Sequence, residues 1–263
     1  MTTRVITPTP YPYVNEAVQM LLTNIQAVLN DYFVGLYLLG SLASGGFDPG
    51  HSDIDFLVVT TKALPKSLFP ALEAMHMRIR DSSLEWAKKL EGTYLSRRVI
   101  HVFTPSKRKI PYLNEGRFFI TEQGMEWIIN RYILWENGIT VAGPPIKSMI
   151  APISRDELRK AIVDTLLTYW TPKVNERGWL EPPGHQPYIV LTCCRALYTL
   201  KHGIIASKSV SAEWALKALD KHWKGLIEHA INWHYGMPGG DIEGTLKMMR
   251  YTLKEAKNYQ KLN

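Results

Sequence analysis

The chain of 263 residues has only two cysteines, Cys193 and Cys194, and they are neighbours. Adjacent side chains on a helix diverge, so the two are poorly placed to bond each other. A lone adjacent pair is not a metal site either. A disulfide scaffold is excluded, and two small apolar residues in a reducing cytosol are expected. No apolar run approaches the roughly 18 residues that cross a bilayer. The apolar stretch nearest the N-terminus, 18–29, is broken by Gln19, Thr23, Asn24 and Gln26, so neither a signal peptide nor a membrane partner is expected. Internal repeats and low-complexity segments are absent too. Acidic residues are the scarcer charge: 24 Asp and Glu face 31 Lys and Arg, a formal net charge of +7. A basic balance can signal nucleic acid. Here the cations are dispersed, with short clusters at Lys88-Lys89, Arg97-Arg98 and Lys107-Arg108-Lys109 and no aromatic-interleaved basic repeat. Nucleic acid is therefore not an expected partner, and a cytoplasmic monomer is.

What is present is the composition of a globular protein, 46% hydrophobic and 21% charged, long enough for two ordinary domains. Apolar residues at helical spacing (Ala17, Met20, Leu21, Ile25, Val28, Leu29) predict a helix over 14–30. The short apolar runs 33–39 and 53–60 predict strands, with Ile54, Phe56 and Val58 on one face of the second and Asp53, Asp55, Leu57 and Val59 on the other. Residues 64–90 read as mostly helical, 91–95 as a third strand, 99–103 as its continuation or successor, and 122–137 as helix. Pro144, Pro145 and Pro152 mark a boundary, giving domains 1–150 and 151–263. Beyond it the pattern is helical. Ser154 or Asp156 can cap a helix over 158–170, Pro187 can open one that Gly203 closes, and further helices cover about 209–219, 221–235 and 243–260. The expected fold is an α/β (α+β) domain with a short mixed sheet, followed by an all-α helical bundle.

One constellation carries chemistry. A strand runs into Gly40-Ser41, and after a short connection the next strand opens on Asp53-Ile54-Asp55. Glycine lets the backbone approach a phosphate, and serine adds a hydroxyl near a helix start, where anions are favoured. Strand alternation puts both carboxylates on one face. Side by side they repel unless a cation lies between them. Magnesium suits that role, because it takes one or two carboxylates together with substrate phosphates.

The segment 38–59 resembles the signature of the polymerase-β-type nucleotidyltransferase superfamily. The whole chain resembles the aminoglycoside (3'')(9) adenylyltransferases, the streptomycin and spectinomycin resistance enzymes. Besides Gly40-Ser41 and Ser52-Asp53-Ile54-Asp55, the resemblance rests on Leu90-Glu91-x-Thr93, on 139–144, and on three helical blocks. These are Leu191-Thr192-x-x-Arg195, Gly203-x-Ile205-x-x-Lys208 and Val210-x-Ala212-Glu213-Trp214-Ala215. It implies a nucleotidyltransferase fold and AMP transfer from ATP to an antibiotic hydroxyl. Asp53, Asp55 and Glu91 would hold two magnesium ions, and Glu91 would also deprotonate the acceptor. Gly40, Ser41, Ser52, Arg195 and Lys208 would contact ATP, with Tyr235 a further nucleotide contact and Trp233 an alternative alignment for it. Acceptor contacts are expected from Glu91 and from Trp179, Glu181 and His185 in the loop 175–186. That loop departs from the pattern of streptomycin-accepting members, whose aspartate falls near Gly184 or His185. A different small-molecule or protein acceptor, or a nucleotide-binding module without catalysis, are the alternatives.

Overall fold

The computed structural model describes residues 6–50, 52–101, 108–114, 116–122, 124 and 126–262. The chain divides into two compact units, Met1–Pro152 and Ile153–Asn263. Each is described by itself.

The first unit opens with helix α1, Pro12–Leu29, whose proline stands in the first turn, where a missing N–H costs nothing. Its buried positions Val14, Ala17, Val18, Leu21, Leu22, Ile25 and Leu29 form one stripe. The strands are β1 (Phe33–Leu38), β2 (Ile54–Thr60), β3 (Leu90–Ser96), β4 (Lys109–Asn114), β5 (Arg117–Glu122) and β6 (Ile139–Ala142). They make one six-stranded sheet in the order β5-β4-β3-β2-β1-β6. Only β2 and β3 run parallel; the other pairings are antiparallel. The parallel pair is connected through helix α3, Phe69–Arg80, and a 3-10 turn at Glu85–Lys89. Helices α1 and α3 pack on the sheet face that carries Leu36, Leu38, Ile54, Phe56, Val58, Leu90 and Tyr94, and the core is one cluster there. Fully burying a Leu or Ile side chain stabilises by about 1.5–3 kcal/mol, so this cluster holds the sheet flat against its helices. Three further helices complete the unit. Helix α2, Gly40–Ser44, packs on α5, Glu126–Asn137, while α4, Arg97–His101, lies against β2 and β3.

Several details differ from the sequence expectation. Residues 99–101 are helical, not strand, because Ile100 is fully buried from a helical turn that follows Ser96 directly; residues 102 and 103 lie outside the described residues. The hairpin β4–β5 and the edge strand β6 widen the expected short sheet to six strands. The stretch 64–90 is helical only in part, since Asp81–Leu84 is a turn.

His76 is buried against Phe56, Tyr94 and Phe118, and its Nε2 is 2.6 Å from the Tyr94 hydroxyl. Burial pushes its pKa down from 6.5 to about 3. Between those values the unfolded chain binds a proton that the folded chain refuses. The contribution of this group to stability is therefore complete above about pH 6.5 and is lost as pH falls toward 3, at up to ~1.4 kcal/mol per pH unit. Urea unfolding of wild type and His76→Phe at pH 7 and 4.5 checks this. Wild type should lose about 2–3 kcal/mol more than the variant over that interval; equal losses would show that His76 titrates normally.

The second unit is helical: α6 (Arg155–Thr165), α7 (Thr171–Lys173), α8 (His185–His202), α9 (Lys208–Ala218), α10 (Lys224–Asn232) and α11 (Ile242–Leu262). Ser154 caps α6 in a reciprocal capping box with Glu157, which satisfies two amides at the helix start. A π-helical turn, Leu166–Trp170, continues α6. Helix α8 is central and touches α6, α9, α10 and α11. It ends at Gly203 in the left-handed conformation, φ 69°, where a Cβ would lie 2.9 Å from Arg155 and Arg159 atoms. Cys193 and Cys194 are free and buried inside this unit. Burial pushes the Cys194 thiol up to about 12, which leaves it unreactive at neutral pH. Among the described residues no helix is long and apolar enough to cross a membrane.

Candidate active site

The site is built where β1 ends. Leu39 donates its amide to the Asp55 carbonyl at 3.1 Å, which locks the end of β1 to the start of β2. The chain must then turn sharply, and Gly40 does so with φ 64°. A Cβ on Gly40 would lie 1.7 Å from Asp55 Oδ2. The glycine is thus required twice, for its backbone conformation and for the carboxylate packed against it. Ser41 follows in the first turn of α2, and its carbonyl accepts from the Gly46 amide at 3.0 Å.

The described residues of the connection, 45–50 with 52 and 53, are held by contacts to their surroundings. Phe47 packs between Tyr11, at 4.6 Å between ring centroids, and Trp86, at 5.4 Å. Lys89 donates to the Pro49 carbonyl at 3.2 Å and lies over the Trp86 ring. The Ser52 hydroxyl accepts from the Asp48 amide at 2.9 Å. Aromatic anchors just before α1 and before β3 therefore hold Phe47 near Asp53.

β2 begins at Ile54, one residue later than the sequence reading, so Asp53 stands exposed just before the strand. Asp55 is its half-buried second position and pairs in register with Glu91, the second position of β3. Parallel strands lie about 4.8 Å apart, and side chains of paired residues share a face. Asp55 and Glu91 are therefore neighbours, and Asp53 lies two residues before Asp55, just outside the strand. Glu91 accepts a hydrogen bond from the Tyr112 hydroxyl. Tyr112 lies on β4 opposite Thr93, and Phe119 of β5 meets its ring edge-on at 5.6 Å.

Among the described residues no group of three or more His, Cys, Asp and Glu forms a metal-binding cluster. What the register supplies is a pair of carboxylates side by side, oxygen ligands of the kind magnesium takes, with phosphate oxygens and water left to complete its shell. The residues present fit that ion.

In the second unit Arg195 falls on α8, Lys208 on α9 and Tyr235 in the segment after α10. Tyr188, Thr192 and Arg195 share one face of α8 by spacing. Lys208 opens α9 behind the Ser207 cap, and its ammonium lies 4.0 Å from the Tyr188 ring centroid. Tyr235 is 74% exposed and meets Trp233 at 5.4 Å. The loop 175–186 is folded on itself. Trp179 Nε1 donates to the Lys173 carbonyl at 2.9 Å, and His185 Nδ1 lies 2.5 Å from the Trp179 carbonyl. The Lys173 ammonium lies 5.0 Å from the centroid of the Trp179 ring, and Glu181 is exposed in the same turn. Trp179 and His185 are thus brought together, and Glu181 adjoins them.

Sequence reasoning missed Tyr112 and Tyr188. Neither had a local signal: the first contact depends on which strand lies beside β3, the second on how α9 meets α8.

Comparison with known proteins places both halves. Residues 25–118 match the model described as Nucleotidyltransferase domain, and residues 148–261 match Aminoglycoside adenylyltransferase, C-terminal domain. A spectinomycin 9-adenylyltransferase of Staphylococcus aureus is 28% identical over 254 residues, covering 93% of this chain and 94% of the relative. An aminoglycoside (3'') (9) adenylyltransferase of Klebsiella pneumoniae is 26% identical over 225 residues, covering 81% of this chain and 82% of the relative. The crystal structure of a spectinomycin adenyltransferase from Enterococcus faecialis, with ATP and spectinomycin, shares the fold. Its TM-score is 0.72 at 19% identity, with 92% of this chain and 98% of that one covered. The chain thus joins a nucleotidyltransferase domain, which carries the Asp55–Glu91 pair, to an aminoglycoside adenylyltransferase C-terminal domain, and over most of its length it is similar to aminoglycoside and spectinomycin adenylyltransferases.

Proposed function

We propose that this enzyme transfers AMP from ATP to a hydroxyl of an aminocyclitol or aminoglycoside antibiotic, spectinomycin first and streptomycin second, and so protects a bacterium from it. The observation that carries the chemistry is the in-register pair Asp55 and Glu91 beside the Gly40 turn. The acceptor oxygen attacks the α-phosphorus, the bond from that phosphorus to the bridging oxygen breaks, and pyrophosphate leaves. Glu91 takes the hydroxyl proton. A carboxylate is a weak base for an alcohol, so its fixed orientation matters more than its basicity. Asp53, Asp55 and Glu91 would hold two magnesium ions, which supply charge neutralisation at the phosphates when bound. The Gly40 backbone, Ser41 and Ser52 would meet the triphosphate. Arg195, Lys208 and Tyr235 are the further nucleotide contacts that the family resemblance implies. Trp179, Glu181 and His185 would meet the acceptor.

The acceptor reading is supported by similarity over nearly the full length to enzymes named for spectinomycin. A second reading is favoured by the loop. The Lys173 ammonium stands against Trp179 in a chain of net charge +7, which suits an acceptor less cationic than streptomycin. Expression in a susceptible bacterium, with inhibitory concentrations measured for both drugs, separates the readings. Protection against spectinomycin is expected. No protection against either drug would remove the antibiotic as acceptor.

A further inference from the structure

The carboxylate assigned as base is not held by its own strand alone. Glu91 has three rotatable bonds between its backbone and its carboxylate group, enough freedom to point an unrestrained group away from a substrate. Its neighbour in register is Asp55, another carboxylate, which repels it. The donor that meets it comes from elsewhere in the sheet. The Tyr112 hydroxyl, on β4, donates to Glu91 Oε1. The tyrosine is itself fixed twice. Its backbone is paired on both sides, opposite Thr93 of β3 and Phe119 of β5, and the Phe119 ring meets its own edge-on. Thr93 further ties β3 to β4 by donating to the Pro111 carbonyl at 2.8 Å. Two adjoining strands and a ring contact thus aim one phenol at one carboxylate oxygen.

We propose that Tyr112 is the positioning residue for Glu91. It holds Oε1 and so fixes the orientation of the carboxylate that receives the acceptor proton. This rests on the adenylyl-transfer reading above, in which Glu91 is the base. The role assigned to Tyr112 is confined to Glu91. Its removal should therefore slow the chemical step and leave nucleotide affinity alone. It also predicts coupling: without a base at position 91, orienting that side chain no longer changes the rate.

The test is Tyr112→Phe, which deletes one oxygen and keeps the ring against Phe119. Wild type, Tyr112→Phe, Glu91→Gln and the double variant are compared in single-turnover transfer from ATP-magnesium to spectinomycin. ATP affinity by calorimetry and melting temperature are measured alongside. Tyr112→Phe should lower the transfer rate about tenfold, the equivalent of ~1.4 kcal/mol in the barrier. Spectinomycin KM, ATP affinity and melting temperature should stay near wild type. In the Glu91→Gln background the same change should have no further effect. Tyr112→His, which keeps a donor, should recover part of the rate. An unchanged rate in Tyr112→Phe overturns the proposal. So does a rate loss matched by lower ATP affinity and melting temperature, or an equal loss with and without the Glu91 carboxylate. Wild type that transfers nothing to spectinomycin defeats the acceptor reading and the proposal with it; turnover by wild type with any of the preceding outcomes defeats the proposal alone.

Discussion

Glu91→Gln should cut AMP transfer by about 10³-fold or more while leaving ATP binding in place. The substitution changes one oxygen into an amide and keeps the length of the side chain. The remaining oxygen can still accept from the Tyr112 hydroxyl, so the β3–β4 contact survives. What is lost is the negative charge and the ability to take a proton. General-base contributions are typically about 10²–10⁴-fold. The loss should reach the upper end of that range, because the same carboxylate is also assigned to the metal. Calorimetry with ATP-magnesium separates the two losses. Binding close to wild type with turnover down by about 10³-fold or more fits a base. Retained turnover would remove Glu91 from that role.

Gly40→Ala should damage the same site from the other side. Alanine at φ 64° costs about 1–2 kcal/mol in backbone strain alone. Its methyl group would also fall 1.7 Å from Asp55 Oδ2 and 2.5 Å from Cγ, so either the carboxylate or the turn must move. Displacing Asp55 disturbs its alignment with Glu91, and a shift of about 1 Å in a positioned group can cost about 100-fold in rate. A kcat/KM at least that much lower is expected, with a lower melting temperature. Gly45→Ala is the control. Gly45 has a similar φ, 73°, but a Cβ there meets nothing within 4 Å. It should show the loss of stability without the loss of rate. Equal rate losses in the two variants would mean that turn strain, not crowding of Asp55, is the cause.

These two expectations also mark what the sequence could and could not reveal. Gly40-Ser41 and Asp53-Ile54-Asp55 were legible because their meaning is local. A tight turn needs glycine, and alternation alone puts two carboxylates on one face. The helical half was legible for the same reason: Ser154 caps α6, and Gly203 ends α8. Glu91 was named through resemblance, and its register with Asp55 is a parallel pairing across 36 residues that no local pattern encodes. The hairpin β4–β5 was missed because Pro111 and the turn near Gly116 interrupt the strand pattern, and Tyr112 was lost with it. Residues 99–101 misled by composition. Val99 and Ile100 are β-branched, but tertiary packing buries Ile100 from a helical turn. Lys208 over Tyr188 needed the packing of α9 on α8.

The most direct measurement is mass spectrometry of spectinomycin after incubation with the wild-type enzyme, ATP and magnesium. A gain of one AMP per drug molecule, with one pyrophosphate released for each and formation slower by about 10³-fold or more in Glu91→Gln, is the expected result. Unmodified spectinomycin, from a protein shown by calorimetry to bind ATP, would contradict adenylyl transfer to this acceptor.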